Sequence, residues 1–98
     1  MSNIADKRIN AYINTFGISH AHTGYTYLMY AIRLLVDEQI ARGNMTDLYK
    51  AVAEKFETKA GYVEHCMRTC IRKAGCTMTN KEFVVTAMDE LVFGFGED

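Results

Sequence analysis

The chain has 98 residues, enough for one small domain. Lys and Arg number 11, Asp and Glu number 12, the formal net charge is -1, and 49% of residues are hydrophobic. That balance excludes a disordered charged tail, a collagen-like or low-complexity chain and a multidomain enzyme.

There is no proline and no tryptophan. Absence of proline favours a mostly helical chain, because proline removes a backbone donor and punctuates loops and edge strands. No apolar run approaches the roughly 20 residues that cross a bilayer. Residues 1–8 lack the charged-then-apolar pattern of a secretion signal. A cytoplasmic protein without a membrane partner is expected. The three cysteines, Cys66, Cys70 and Cys76, are an odd number, and no disulfide framework is expected.

Five segments carry helical periodicity. The first spans about residues 3–16, with Ile9, Tyr12, Ile13 and Phe16 at i, i+3, i+4 and i+7. Gly17 follows where a helix C-cap would sit. The second spans about 24–42, on a stripe of Tyr25, Leu28, Ile32, Leu35, Val36 and Ile40, and Gly43-Asn44 is its expected stop. The third spans about 46–56, with Leu48, Tyr49, Val52, Ala53 and Phe56 on one face and Thr46 and Asp47 in its first turn. After a break at Glu57-Thr58-Lys59 the fourth spans about 60–73, on Val63, Cys66, Met67, Cys70, Ile71 and Ala74. Gly75 is its stop signal. The fifth opens on Thr79-Asn80-Lys81-Glu82, where Thr and Glu three apart form a capping box. Phe83, Val84, Ala87, Met88 and Leu91 make its stripe, and Gly94 and Gly96 mark a loose tail. No segment alternates as a strand would. The expected fold class is all-α, a single domain over 1–98 built as a compact bundle of about five helices.

The third and fourth segments, over about 46–74, read as a helix-turn-helix, because so short a joint makes two helices meet steeply. The second helix of such a pair can lie in the DNA major groove. The apolar stripe leaves Lys59, Gly61, Tyr62, Glu64, His65, Arg68, Thr69, Arg72 and Lys73 pointing outward. Between residues 58 and 74 stand four basic residues and one acid, in a chain that is slightly acidic overall. Arg68 suits a bidentate contact to a guanine edge, and Lys59, Arg72 and Lys73 suit phosphates. The same pattern also fits a plain solvated helix face.

The stretch Leu48-Tyr49-Lys50-Ala51-Val52-Ala53-Glu54-Lys55-Phe56-Glu57-Thr58, followed by Val63-Glu64, Arg68 and Ile71, resembles one family in particular. So do Gly24-Tyr25-Thr26-Tyr27-Leu28 with Ala31-Ile32 upstream, Thr79-Asn80-Lys81-Glu82-Phe83 downstream, and the closing Met88-Asp89-Glu90-Leu91. These pieces, in the same order, are similar to the C-terminal DNA-binding domain of the sporulation stage-zero A response regulator. The resemblance covers nearly the whole chain. It implies an all-helical transcription factor whose second hairpin helix reads double-stranded DNA. Glu64 and Arg68 match the family's base-reading pattern, whereas Tyr62 and His65 stand where the family carries arginine. Gly75-Cys76-Thr77-Met78 replaces a longer connection that includes an extra short helix. Family members carry a receiver domain in front, and a stand-alone effector-type domain without a receiver is expected here.

The expected function is therefore a sequence-specific DNA-binding transcriptional regulator, not an enzyme. Glu64 and Arg68 would read bases with Tyr62, His65 and Thr69, while Lys59, Arg72 and Lys73 hold phosphates. The alternative is a protein-interaction module or antagonist that kept the fold and lost DNA binding, for which a homodimer or a protein partner is the expected ligand. No cofactor is expected. His65, Cys66, Cys70 and Cys76 offer a metal reading, but two of the thiols fall on the apolar stripe and suit a core role. His20 and His22 read as surface or capping residues. No nucleophile-base order or glycine-rich phosphate loop points to catalysis. Tyr25 and Phe56 fit the core, while Tyr27 and Tyr30 lie off the main stripe and are candidates for a partner face.

Overall fold

The computed structural model of the protein describes residues 4–94. Among these residues there are five α-helices and no strand: α1 (Asp6–Asn14), α2 (Thr23–Val36), α3 (Met45–Lys55), α4 (Ala60–Lys73) and α5 (Asn80–Phe93). The all-α expectation therefore holds. The start expected at residue 3 and the tail glycine Gly96 lie outside the described residues.

Helix α2 is the centre of the bundle and packs against each of the other four. Its sequence is the most apolar, and nine of its residues are buried, among them Leu28, Ala31 and Ile32 with no exposed surface. Ile9 and Ile13 of α1, Leu48 and Val52 of α3, Val63, Met67 and Ile71 of α4, and Phe83, Val84 and Ala87 of α5 complete one core. These are the positions that the 3.6-residue spacing selected. Two polar ties join distant segments. Arg33 donates to Asp6 at 2.7 Å, to Asp37 at 3.0 Å and to the Ile4 carbonyl. Arg42 grips both oxygens of Asp89 on α5 at 2.6 and 3.1 Å.

One boundary differs from the sequence reading. Helix α2 stops at Val36 rather than near residue 42. Glu38 adopts a left-handed conformation, φ 59. The Gln39 N–H then bonds back to the Leu34 carbonyl and the Glu38 N–H to that of Leu35. This closure caps the helix without glycine, and Ile40 reaches the core from the following loop. Asn44, expected only as a stop, is the N-cap of α3, its side chain accepting from the Asp47 N–H at 3.2 Å. The capping box at Thr79 and Glu82 forms as read.

The joint between α3 and α4 uses the same device. Glu57 is left-handed, φ 56. The Thr58 N–H bonds to the Ala53 carbonyl at 2.9 Å and turns the chain so that Lys59 becomes the N-cap residue of α4. No described helix is long and apolar enough to cross a membrane.

Candidate functional site

The buried stripe of α4 is Val63, Met67, Cys70 and Ile71, which face the α2 and α3 side of the bundle. The helix lies unusually close to α2. A Cβ on Gly24 would overlap the backbone carbonyl oxygen of Cys66 and sit 2.7 Å from the Cys70 sulfur. Glycine at that position is what allows α2 to seat α4 so deeply. With one face anchored, the remaining α4 side chains must project outward.

All eight expected site residues lie on α4 or at its N-cap. Tyr62 is half exposed, at 50%, and its ring meets Tyr27 edge-on at 6.3 Å. His65 is exposed, and Glu64, Arg68 and Thr69 are half-buried. Glu64, His65 and Arg68 form one cluster. Arg68 donates to the Glu64 carboxylate at 2.8 Å, and a second guanidinium nitrogen lies 3.2 Å from His65 Nδ1. The arginine is thus held on the outer face in a defined orientation. Lys59 stands at the start of α4, while Arg72 and Lys73 occupy its last turn, where cations also suit the negative end of the helix dipole. These two groups of cations are about 20 Å apart along the axis, at 1.5 Å per residue.

Two concavities flank the helix. One, of about 250 Å³, lies on the α2 side among His22, Thr23, Tyr62, His65, Cys66 and Thr69. The other, of about 270 Å³, lies on the α5 side and brings Arg68 and Arg72 together with Tyr49, Thr77 and Lys81. Asn80 pins this second side. Its Nδ2 donates to the Glu64 carbonyl at 3.0 Å and to the Tyr49 hydroxyl at 3.1 Å. Its Oδ1 is buried and has no hydrogen-bond partner among the described residues. Burial raises the pKa of Tyr49, so its phenol keeps a proton to donate.

The structure brings Lys81, Tyr49 and Thr77 beside Arg68 and Arg72, a grouping that the sequence does not reveal. The segment Thr79-Asn80-Lys81-Glu82 carries a capping signal, and nothing in that signal says which helix lies alongside. Tyr27 needs correction. It is 5% exposed, packed against Phe56 at 5.3 Å, so it belongs to the core rather than to a partner face. Its neighbour α4 covers a position that the α2 stripe alone leaves outside. Tyr30 is half-buried, edge-on to Phe56 and under the Lys55 ammonium.

Of the thiols, Cys70 is buried and Cys66 and Cys76 are half-buried. Burial pushes the Cys70 thiol up to about 11, and its S–H donates to the Met67 carbonyl at 3.3 Å. Among the described residues no three His, Cys, Asp or Glu side chains gather where they could hold a metal ion.

The family model of the sporulation initiation factor Spo0A C-terminal domain matches residues 9–91. The chain belongs to that family. The match runs from α1 to near the end of α5, so it embraces the whole bundle and both flanks of α4. No curated protein matches the chain in sequence. The Spo0A C-terminal domain is a DNA-binding effector domain, and membership makes this chain, at the level of the family, part of a DNA-binding regulator of transcription.

Proposed function

We propose that the protein is a sequence-specific double-stranded DNA-binding transcriptional regulator, and that α3 and α4 work as a helix-turn-helix with α4 in the major groove. The observation that carries this is the sorting of charge on a helix whose other face is locked into the core. Four cations and one carboxylate stand between residues 58 and 74 of a chain that is otherwise acidic. In this reading Arg68 and Glu64 contact base edges. Tyr62, His65 and Thr69 tune the choice of base, and Lys59, Arg72 and Lys73 hold phosphates. The Glu64 carboxylate fixes the Arg68 fork before DNA arrives, which lowers the ordering cost of a bidentate contact. Glu64 can also accept from a cytosine amino group.

The test is fluorescence anisotropy with a family-type duplex and a scrambled one across a salt series. Preference for one duplex, with affinity falling steeply as salt rises, supports base readout combined with phosphate neutralisation. Absence of binding at low salt overturns the reading.

A protein-interaction role, with a partner or a second copy of the chain on the same fold, is the second reading. It is favoured by the near-neutral charge of the whole chain, and by Arg68 being already engaged by Glu64 and His65. It gains weight only if duplex binding fails.

A further inference from the structure

We infer that the concavity between α4 and the start of α5 is a phosphate site, and that it takes a backbone phosphate of the strand flanking α4. The inference rests on the DNA-binding reading and adds Lys81, with Tyr49 and Thr77, to the surface that reading assigns.

The concavity of about 270 Å³ is lined by Arg68, Arg72 and Lys81 and by one carboxylate, Glu64; the end of the Lys81 side chain rests beside Gly43, and its flexible four-carbon stem must turn to bring the ammonium over the concavity. Arg68 and Glu64 satisfy each other at 2.8 Å, which leaves the charge of Arg72 and Lys81 uncompensated. Neither of these two has an ion pair or a side-chain hydrogen bond among the described residues, whereas Arg33, Arg42 and Arg68 are all paired with carboxylates. Two cations left without a counter-charge on one concave surface attract an anion. The neutral groups there match. The Tyr49 hydroxyl accepts from Asn80 and still has its own proton to give, and Thr77 is exposed. The α5 dipole is positive at this end, although the Glu82 carboxylate bonded to the Thr79 N–H offsets part of it.

Position decides that the anion is a DNA phosphate. A helix with its side chains is about 10–12 Å across and fills a major groove about 12 Å wide. Residues one step round from the reading face therefore meet the sugar-phosphate wall. Arg68 belongs to both surfaces, and Arg72 follows it by one turn on the same flank. Asn80 holds the parts together. It is 6% exposed and bonds both to the α4 backbone and to Tyr49 of α3, so α5 carries Lys81 to this flank in a fixed register.

The experiment compares the full chain with Lys81→Gln and Lys81→Glu, using the preferred and the scrambled duplex over a salt series. Lys81 is exposed and outside the core, and circular dichroism melting checks that each variant folds. The site predicts that Lys81→Gln weakens both duplexes by the same factor, about threefold or more. The slope of log affinity against log salt should fall by about 0.9, with the preference ratio unchanged. Lys81→Glu should weaken both further. Salt-sensitive duplex binding by the parent chain, with affinity and slope unchanged in both variants, overturns this inference and leaves the DNA-binding reading intact. Failure of the parent chain to bind overturns both. Inorganic phosphate alone provides a second arm, followed by the amide resonances of Thr79 and Lys81. Saturation at micromolar phosphate would assign the site to a free phosphate compound and overturn the backbone assignment; no shift below millimolar phosphate supports it.

Discussion

Arg68 is where sequence chemistry and local geometry meet most directly. Its guanidinium is drawn both to Glu64 and to His65 Nδ1, so its position is set before any ligand arrives. Replacing Arg68 with alanine should cost about 1–3 kcal/mol of binding and relax discrimination between preferred and scrambled duplexes. Anisotropy titrations check this, and equal affinity in parent and variant would remove Arg68 from the reading set. The cysteines supply a residue-scale expectation of a different kind. With its thiol raised to about 11, Cys70 stays protonated at neutral pH and is also sheltered, whereas Cys66 and Cys76 have exposed surface. Alkylation at pH 8 should therefore label Cys66 and Cys76 first and spare Cys70 until the chain unfolds. The sign for stability is the same. Above the usual thiol pKa of 9.0 the unfolded chain loses a proton that the folded chain keeps, so Cys70 lowers stability as pH climbs through that window.

At the scale of elements, two backbone positions carry the placement of α4. Gly24, in the first turn of α2, meets the α4 backbone at Cys66 so closely that a methyl group has no room. Alanine there gains helix propensity, worth at most about 1 kcal/mol. The overlap is with backbone rather than with a flexible side-chain end, and overpacking of that kind costs about 1–3 kcal/mol. We expect Gly24→Ala to lower the urea midpoint, because the helices must separate. At the α3–α4 joint the reverse holds. Glu57 sits at φ 56, where an L-residue is strained by roughly 1–2 kcal/mol. Glu57→Gly relieves that strain at the expense of a more flexible unfolded chain, and should raise stability by about 0.5–1 kcal/mol. Thermal melts decide both. The ends of the elements were less legible in the sequence than their middles. The break at Glu57-Thr58-Lys59 could be read from lost periodicity, but the early end of α2 could not. Glu38 carries no glycine-like signal, and its left-handed turn is held by bonds to Leu34 and Leu35 and by the return of Ile40 to the core.

For the whole molecule, stability converges on α2, because it packs most extensively against the other four helices. A domain of this size holds only about 5–15 kcal/mol in total. Ile32, with no exposed surface, should cost about 2–5 kcal/mol when cut to alanine. Signals from helix content and from tyrosine environment should then be lost together in urea, at a lower midpoint, if the five helices unfold as one unit. Separate transitions would show that α3 and α4 melt apart from the rest.

The helical class, the number of helices and most of the core were legible in the chain's residues alone. Those properties follow from the spacing of apolar residues and from local capping chemistry, which neighbouring residues encode. The same spacing also placed the outward cations on α4, since a buried stripe on one face leaves the rest to solvent. The family resemblance read from ordered motifs was sound for the same reason, as the matched pieces are the stripes and turns themselves. What stands beside α4 emerged from the packing of the helices. Tyr27 is buried because α3 and α4 close over it, and Lys81 comes to line the Arg68 flank because Asn80 locks α5 to the Glu64 carbonyl. Those neighbours are far apart along the chain, and a helical period carries no information about which element packs against which.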